Sequence, residues 1–385
     1  MEALSDPRIF PDAAAAPGSA RALYALAEAA LGAETSQRAD AIDRELRFAL
    51  TAQLDEDAAG LAAAIDGAPS VAIARGLWRA LDAAWRESTT GTASDVALGA
   101  FAIPLVIVAG VDGGGADVVV PATLAEPQRL AAILARGDAL GGNRNFALAD
   151  AVVAPDALEV GALPRIRAWL RLPESDPSRA PPRHGAEPAP MRARPTSESV
   201  HLRFAIGTAV AGGGSDPMAD DRVGKWGVPF AREVVRQLAA PGATLLVLPR
   251  APQRPLPALV QGRIAQREVS AQIFASNAIR KLRATLGEPT AVLSAHRAAD
   301  ARGGGELRLS LASPLDARSA EGFRCPLHAL DRVADVAAML VGLLRDCRVA
   351  TIHVVAGVHP DRTESGVPLL FKPDALPPHV TLAPG

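Results

Sequence analysis

Seven prolines fall between Pro173 and Ser197, interspersed with Glu174, Asp176, Arg179, Arg183, Glu187, Arg192 and Arg194. Such a stretch lacks backbone donors at every proline and has no apolar periodicity to bury, so it reads as an extended linker. The 385 residues suit two domains, and the linker predicts them at 1–172 and 198–385. Charge changes across the same stretch. Residues 1–172 carry 22 acidic and 14 basic side chains, whereas residues 198–385 carry 17 acidic and 22 basic. Halves of opposite sign attract one another or face different partners, and the expectation here is a basic helix of the second domain docking on the acidic first.

Several classes drop out early. Two cysteines, Cys325 and Cys347, are too few for a disulfide framework or a four-ligand zinc site, which favours a reducing cytoplasm. The start, Met1-Glu2-Ala3-Leu4-Ser5-Asp6-Pro7, has no basic segment ahead of an apolar one, so no secretory signal is expected. Val96–Val111 is the longest uncharged apolar run, but at sixteen residues with Pro104 inside it falls short of a membrane span. It reads as a buried core segment, with helix and strand both open. With 49% hydrophobic residues, the chain has enough apolar material for a core in each domain.

Periodicity predicts helices over Ser19–Leu31, Gln37–Leu54, Val71–Trp85, Leu124–Leu134 and near Leu163–Leu170, with Ser36 and Ser70 as caps and a short strand at Val118–Val120. The second half alternates. Strands are expected at His201–Val210, Thr244–Leu248, Thr290–Ser294, Glu306–Leu311 and Val349–Val355, and helices at Pro229–Ala239, Leu256–Leu286 and Asp331–Leu344. The fold class is therefore α+β: a mainly helical N-terminal domain with a small strand pair, then a mixed-sheet α+β sandwich with helices on one face.

The segments Ala147-Leu148-Ala149-Asp150 and Pro155-Asp156-Ala157-Leu158, with the order of elements from Asn277 to Leu344, resemble a family of uncharacterised bacterial cytoplasmic proteins. The resemblance covers about half the chain and implies the two-domain layout. It implies no activity and no cofactor.

Four features carry candidate chemistry. The loop 211–227 lies between a strand and a helix and holds Gly212, Gly213, Gly214 and Lys225, which suits a phosphate cradle. Its spacing departs from a Walker A loop, with Ala219 at the first glycine position and Trp226 in place of the hydroxyl, and Asp216, Asp220 and Asp221 oppose a polyphosphate. The stretch 254–286 carries Arg263, Arg267, Arg280, Lys281 and Arg283 against Glu268 alone, a basic face that suits nucleic-acid phosphates, a docking surface or plain solvation. Phe274 is its only aromatic, so base stacking is missing.

His353, His359 and Asp361 are the metal candidates, although His353 equally fits an apolar strand and His359-Pro360-Asp361 a turn. Ser294, His296 and Asp300 form the nearest approach to a nucleophile with its base. The reading that follows is a cytoplasmic binding or regulatory adaptor with a protein partner and no membrane association. A nucleotide- or phosphate-binding enzyme using the Gly-rich loop, and nucleic-acid binding through the basic helix, are the alternatives.

Overall fold

A computed structural model of the chain describes residues 4–90, 98–111, 116–141, 146–170, 188–195, 197–210, 223–285, 287–297, 304–313 and 316–359. The helices are α1 (Gly18–Leu31), α2 (Ser36–Glu56), α3 (Ala58–Asp66), α4 (Val71–Thr90), α5 (Pro127–Arg136), α6 (Leu163–Leu170), α7 (Val223–Gln237), α8 (Pro255–Thr285) and α9 (Val333–Asp346). The strands are β1 (Leu98–Val111), β2 (Val118–Val120), β3 (Phe146–Val153), β4 (Met191–Ala193), β5 (Ser199–Val210), β6 (Ala243–Pro249), β7 (Thr290–Arg297), β8 (Gly305–Ser313), β9 (Asp316–Pro326) and β10 (Thr351–His359). The fold is α+β, and no described helix is long and apolar enough to cross a membrane.

Contacts group the chain into two compact units, one of Asp40–Ala63 with Arg79–Gln266, the other of Met1–Ala39, Ala64–Trp78 and Arg267–Gly385. This is not the expected division at 173–197. The physical reason is strand pairing: β1 and β3, from before that stretch, share one four-stranded sheet with β5 and β6, from after it, in the order β3-β5-β1-β6. The stretch is not wholly linker either, because Met191–Ala193 pairs antiparallel with β2 and buries Met191 and Ala193.

In the first unit β1 is a central strand, so the run left open between helix and strand is a strand, while α1 to α6 make the N-terminal half mainly helical as expected. Its odd residues Phe101, Ile103, Leu105 and Ile107 pack with Leu130 and Leu134 of α5 and with Trp226, Phe230 and Val234 of α7. Its even residues Ala102 and Val106 are buried on the other face. Gly262 of α8 lies over the neighbouring strand β5, where an added Cβ would come within 2.9 Å of Leu202 and Phe204. Burial of both faces replaces alternation with continuous apolarity, which is why periodicity alone did not separate strand from helix.

Pro104 fits because of phase. Its carbonyl accepts the Arg250 N–H at 2.8 Å, so its backbone points toward the β6 side at the end of that pairing, and the ladder to β5 needs no donor from it. The two helices on this sheet are locked end to end. Gln237 of α7 accepts the Glu126 N–H at 3.0 Å and donates to the Glu126 carbonyl at 3.0 Å, which caps the start of α5.

The second unit holds the sheet β10-β7-β8-β9, mixed because β10 runs parallel to β7 while the other pairs are antiparallel. Leu293, Ala295, Leu307, Leu309 and Cys325 face α9 and the C-terminal part of α8. The strands of the single α+β domain expected over 198–385 are thus divided, with β5 and β6 in one sheet and β7 to β10 in the other. At the helix starts, Ser70 Oγ accepts the Ile73 N–H at 3.2 Å as expected, whereas α2 takes its cap from Thr35, not Ser36, with Oγ1 accepting the Arg38 N–H at 3.3 Å.

The register of the first sheet is testable at two glycines. An added Cβ at Gly207 would sit 2.4 Å from Phe101 Cζ and 2.5 Å from the Ala147 carbonyl oxygen, while at Gly99 it meets nothing within 4 Å. Gly207→Ala is expected to lower the unfolding free energy by about 1–3 kcal/mol in denaturant titration. Gly99→Ala should stay within about 0.5 kcal/mol, and equal losses at the two sites would contradict the register.

Candidate functional site

On strands of the second sheet, side chains alternate between faces, and the face turned away from α8 and α9 carries Ser294 and His296 of β7, Glu306, Arg308 and Ser310 of β8, and Arg324 of β9. These groups are polar yet mostly buried: Ser294 is 1% exposed, His296 0%, Glu306 4% and Arg308 0%. Burying charge is costly unless it is matched, and here the matching follows from register. His296 stands opposite Glu306, and Ser294 opposite Arg308. Ser294 Oγ and His296 Nε2 hydrogen-bond at 2.8 Å. Glu306 accepts from Arg308 Nε at 2.5 Å and from Arg324 Nε at 2.8 Å, so one carboxylate is held between two guanidinium groups.

The same face extends to neighbouring rows. His353 of β10 is in register with Val292 of β7, which is in register with Ser310. Ser310 Oγ and His353 Nδ1 are buried with no hydrogen-bond partner among the described residues. At the head of β8, Gly305 permits close approach of the N-terminal segment, since an added Cβ would lie 2.6 Å from Pro7 Cγ.

A second polar centre lies at the loop between β9 and α9. Arg267 of α8 binds Asp331 through two contacts, Nη1 to Oδ2 at 2.5 Å and Nη2 to Oδ1 at 3.1 Å, with each side chain 8% exposed. Asp331 Oδ2 also accepts the His328 N–H at 2.7 Å. The loop carbonyls are taken by two further arginines: Arg8 donates to His328 O at 2.7 Å and to Asp331 O at 3.1 Å, and Arg75 donates to Leu330 O at 2.8 Å. Burial pushes the Asp331 carboxyl up, but the hydrogen bonds and charge of Arg267, with the His328 N–H, outweigh it and hold the group below the ordinary aspartate value. Burial, reinforced by the charges of Asp331 and Glu306 and opposed by Arg267, pushes the Cys325 thiol up to about 12. That thiol is inert at neutral pH.

The residues singled out from sequence fall into three groups. Gly212, Gly213, Gly214, Asp300 and Asp361 lie outside the described residues, while Lys225 stands exposed in the first turn of α7. The basic stretch does not form one solvent face. Arg263 pairs with Glu159 at 2.7 Å, Arg267 is buried on Asp331, Lys281 pairs with Glu321, and Arg283 contacts Glu288 at 3.1 Å and the Arg348 carbonyl at 3.0 Å. Arg280 donates to Asn277 Oδ1 at 2.8 Å. Two of the cations do meet carboxylates of the acidic half, Arg263 on Glu159 and Arg254 on Asp82 at 2.5 Å, as the charge asymmetry suggested.

His359 is paired in register with His296, away from the His353 row. Among the described residues no cluster of His, Cys, Asp and Glu is arranged to hold a metal, and both cysteines are free. Sequence reasoning missed Glu306, Arg308, Ser310 and Arg324. The signal was present in Glu306-Leu307-Arg308-Leu309-Ser310-Leu311, whose alternation is ordinarily that of a solvated face. Compared with known families, curated proteins and solved structures, the chain matches none.

The buried Arg267–Asp331 pair sets a clear expectation for stability. Asp331→Ala leaves a buried guanidinium without its carboxylate and should cost about 3–5 kcal/mol, while Arg267→Met combined with Asp331→Leu should recover most of that loss. Because the folded Asp331 pKa is depressed, its contribution is complete above the unfolded value near ~3.9 and is lost as pH falls through the lower folded value. Urea titrations from pH 7 down to pH 2 should show this acid-labile component in the wild type and not in Asp331→Ala.

Proposed function

We propose that this chain is a cytoplasmic binding protein, an adaptor or regulatory module whose partner is another protein. The observation that carries the reading is the state of the Ser294–His296 pair: hydroxyl and imidazole are hydrogen-bonded at 2.8 Å, but at 1% and 0% exposure on an inner strand. A nucleophile must reach its substrate, and a serine at this depth is instead part of a matched polar network. The adjoining Glu306, Arg308 and Arg324 are likewise engaged with one another.

The test is a comparison of wild type with Ser294→Ala. The substitution should lower stability by about 1–3 kcal/mol, because it leaves the imidazole short of a partner. Neither protein should turn over activated esters. Turnover by the wild type that Ser294→Ala abolishes would overturn the binding reading in favour of an enzyme.

A second reading, phosphate or nucleotide binding, is favoured by the placement of Lys225, exposed in the first turn of α7 beside helix N–H groups that attract anions. ATP and inorganic phosphate should then raise the melting temperature in a concentration-dependent way, and Lys225→Ala should remove the effect. A flat response of the wild type to both ligands would eliminate it.

A further inference from the structure

We infer that two copies of this chain pair through the outer edge of β6. In the sheet order β3-β5-β1-β6, β6 is an edge strand, and among the described residues its outer side pairs with no strand. Natural edges are ordinarily blunted by charge, bulges or internal proline. Ala243-Thr244-Leu245-Leu246-Val247-Leu248-Pro249 carries no charge, has proline only at its end, and pairs with β1 in unbroken register from Ala243 to Pro249. Leu246 is 55% exposed.

The hydrogen-bond phase determines what this edge offers. Arg250 donates its N–H to the Pro104 carbonyl, and the β1–β6 register pairs Leu105 with Pro249. Alternation along an antiparallel pair then turns the backbone groups of Thr244, Leu246 and Leu248 toward β1, and those of Leu245 and Val247 outward. Two such edges are self-complementary. Antiparallel pairing with Leu245 opposite Val247 of the second copy uses every outward N–H and C=O of these residues in both copies. The two-fold axis then passes between the two Leu246 residues, which form the closely spaced, non-hydrogen-bonded pair.

A second copy suits this edge better than a foreign strand for two reasons. A neutral strand meets its own copy without like-charge repulsion, and an isologous contact needs one surface only. The ends of the strand also match. Its start is bordered by Val118, whose Cγ2 is 3.7 Å from a Cβ placed on Gly242. Its finish is bordered by Gly227, where an added Cβ lies 3.6 Å from Pro249 Cγ. Two-fold pairing brings the apolar start of one copy to the apolar finish of the other.

Light scattering after size exclusion of the full chain tests this. The wild type should run at twice its 39.7 kDa mass, with dissociation on dilution. Leu246→Lys should run as a monomer with an unchanged circular dichroism spectrum. Leu246→Cys should give a disulfide-linked dimer on mild oxidation, because a non-hydrogen-bonded pair has Cα atoms about 4.5 Å apart, within disulfide reach. Wild type treated identically should not cross-link. A wild type that is monomeric at every concentration, leaving the edge for a strand of a different protein, overturns the inference. So does a Leu246→Lys protein that remains dimeric, or a dimer in which Leu246→Cys fails to cross-link.

Discussion

The Arg267–Asp331 pair is the contact on which the second unit most depends. Two charges at 8% exposure lose most of their hydration, and their attraction compensates only because the geometry is two-pronged and the spare lone pair of Asp331 takes the His328 N–H. The pair also determines the shape of the loop before α9. With Asp331 held, the carbonyls of His328, Leu330 and Asp331 are presented to Arg8 and Arg75. Segments more than 250 residues away in sequence thus end on one loop, through donors that only arginine supplies in that number. Arg8, Arg75 and Arg267 therefore act together in holding this loop.

Helices were the most legible part of the fold. Val71–Trp85 and Leu256–Leu286 lie within two residues of their observed starts, and 163–170 coincides; in the first and last of these an apolar stripe leaves its period in the sequence. Strands were legible where a short continuous apolar run is bounded by turn residues, as in Thr244–Leu248 between Gly242 and Pro249. They were missed at β3, where Phe-Ala-Leu-Ala-Asp-Ala-Val-Val is rich in alanine, and at β9, where Asp-Ala-Arg-Ser-Ala-Glu-Gly resembles a loop. Strand order was not legible. The pairing of β1 with β5 joins residues about a hundred positions apart, and a proline-rich stretch between them is no obstacle to a sheet, since β4 lies inside it. A composition boundary therefore does not mark where contacts cease.

The candidate site shows the same limit. His296 and Ser294 were visible as a pair two residues apart, but Glu306 becomes their neighbour only through the β7–β8 register. The α8 cations illustrate the reverse error. Counted along the sequence they form a basic stretch; placed on the helix, Arg267 is turned into the interior and Lys281 outward, each beside its own carboxylate. Net charge by segment identified the attraction between Arg254 and Asp82 in sign, but pairing partners depend on helix phase, which charge counting ignores.

The charged ladder on the second sheet has a consequence for specificity that its modest net energy conceals. A one-residue slip of β8 against β7 would turn Leu307 and Leu309 to the polar face and drive Glu306 and Arg308 under α8 and α9. Both charges would then lie among Leu293, Leu340 and Ala271, still beside one another on β8 but on the face opposite to Arg324 of β9. Charge moved into such apolar surroundings with fewer partners costs more than charge that keeps its full set, so the slipped arrangement is penalised even though the native pair contributes little over an apolar pair of the same size. Arg324 strengthens the discrimination, because its contact with Glu306 fixes β9 to the same register from the other side of β8. Glu306 therefore selects one alignment of three strands, and the polar face is retained in the interior for the arrangement it excludes.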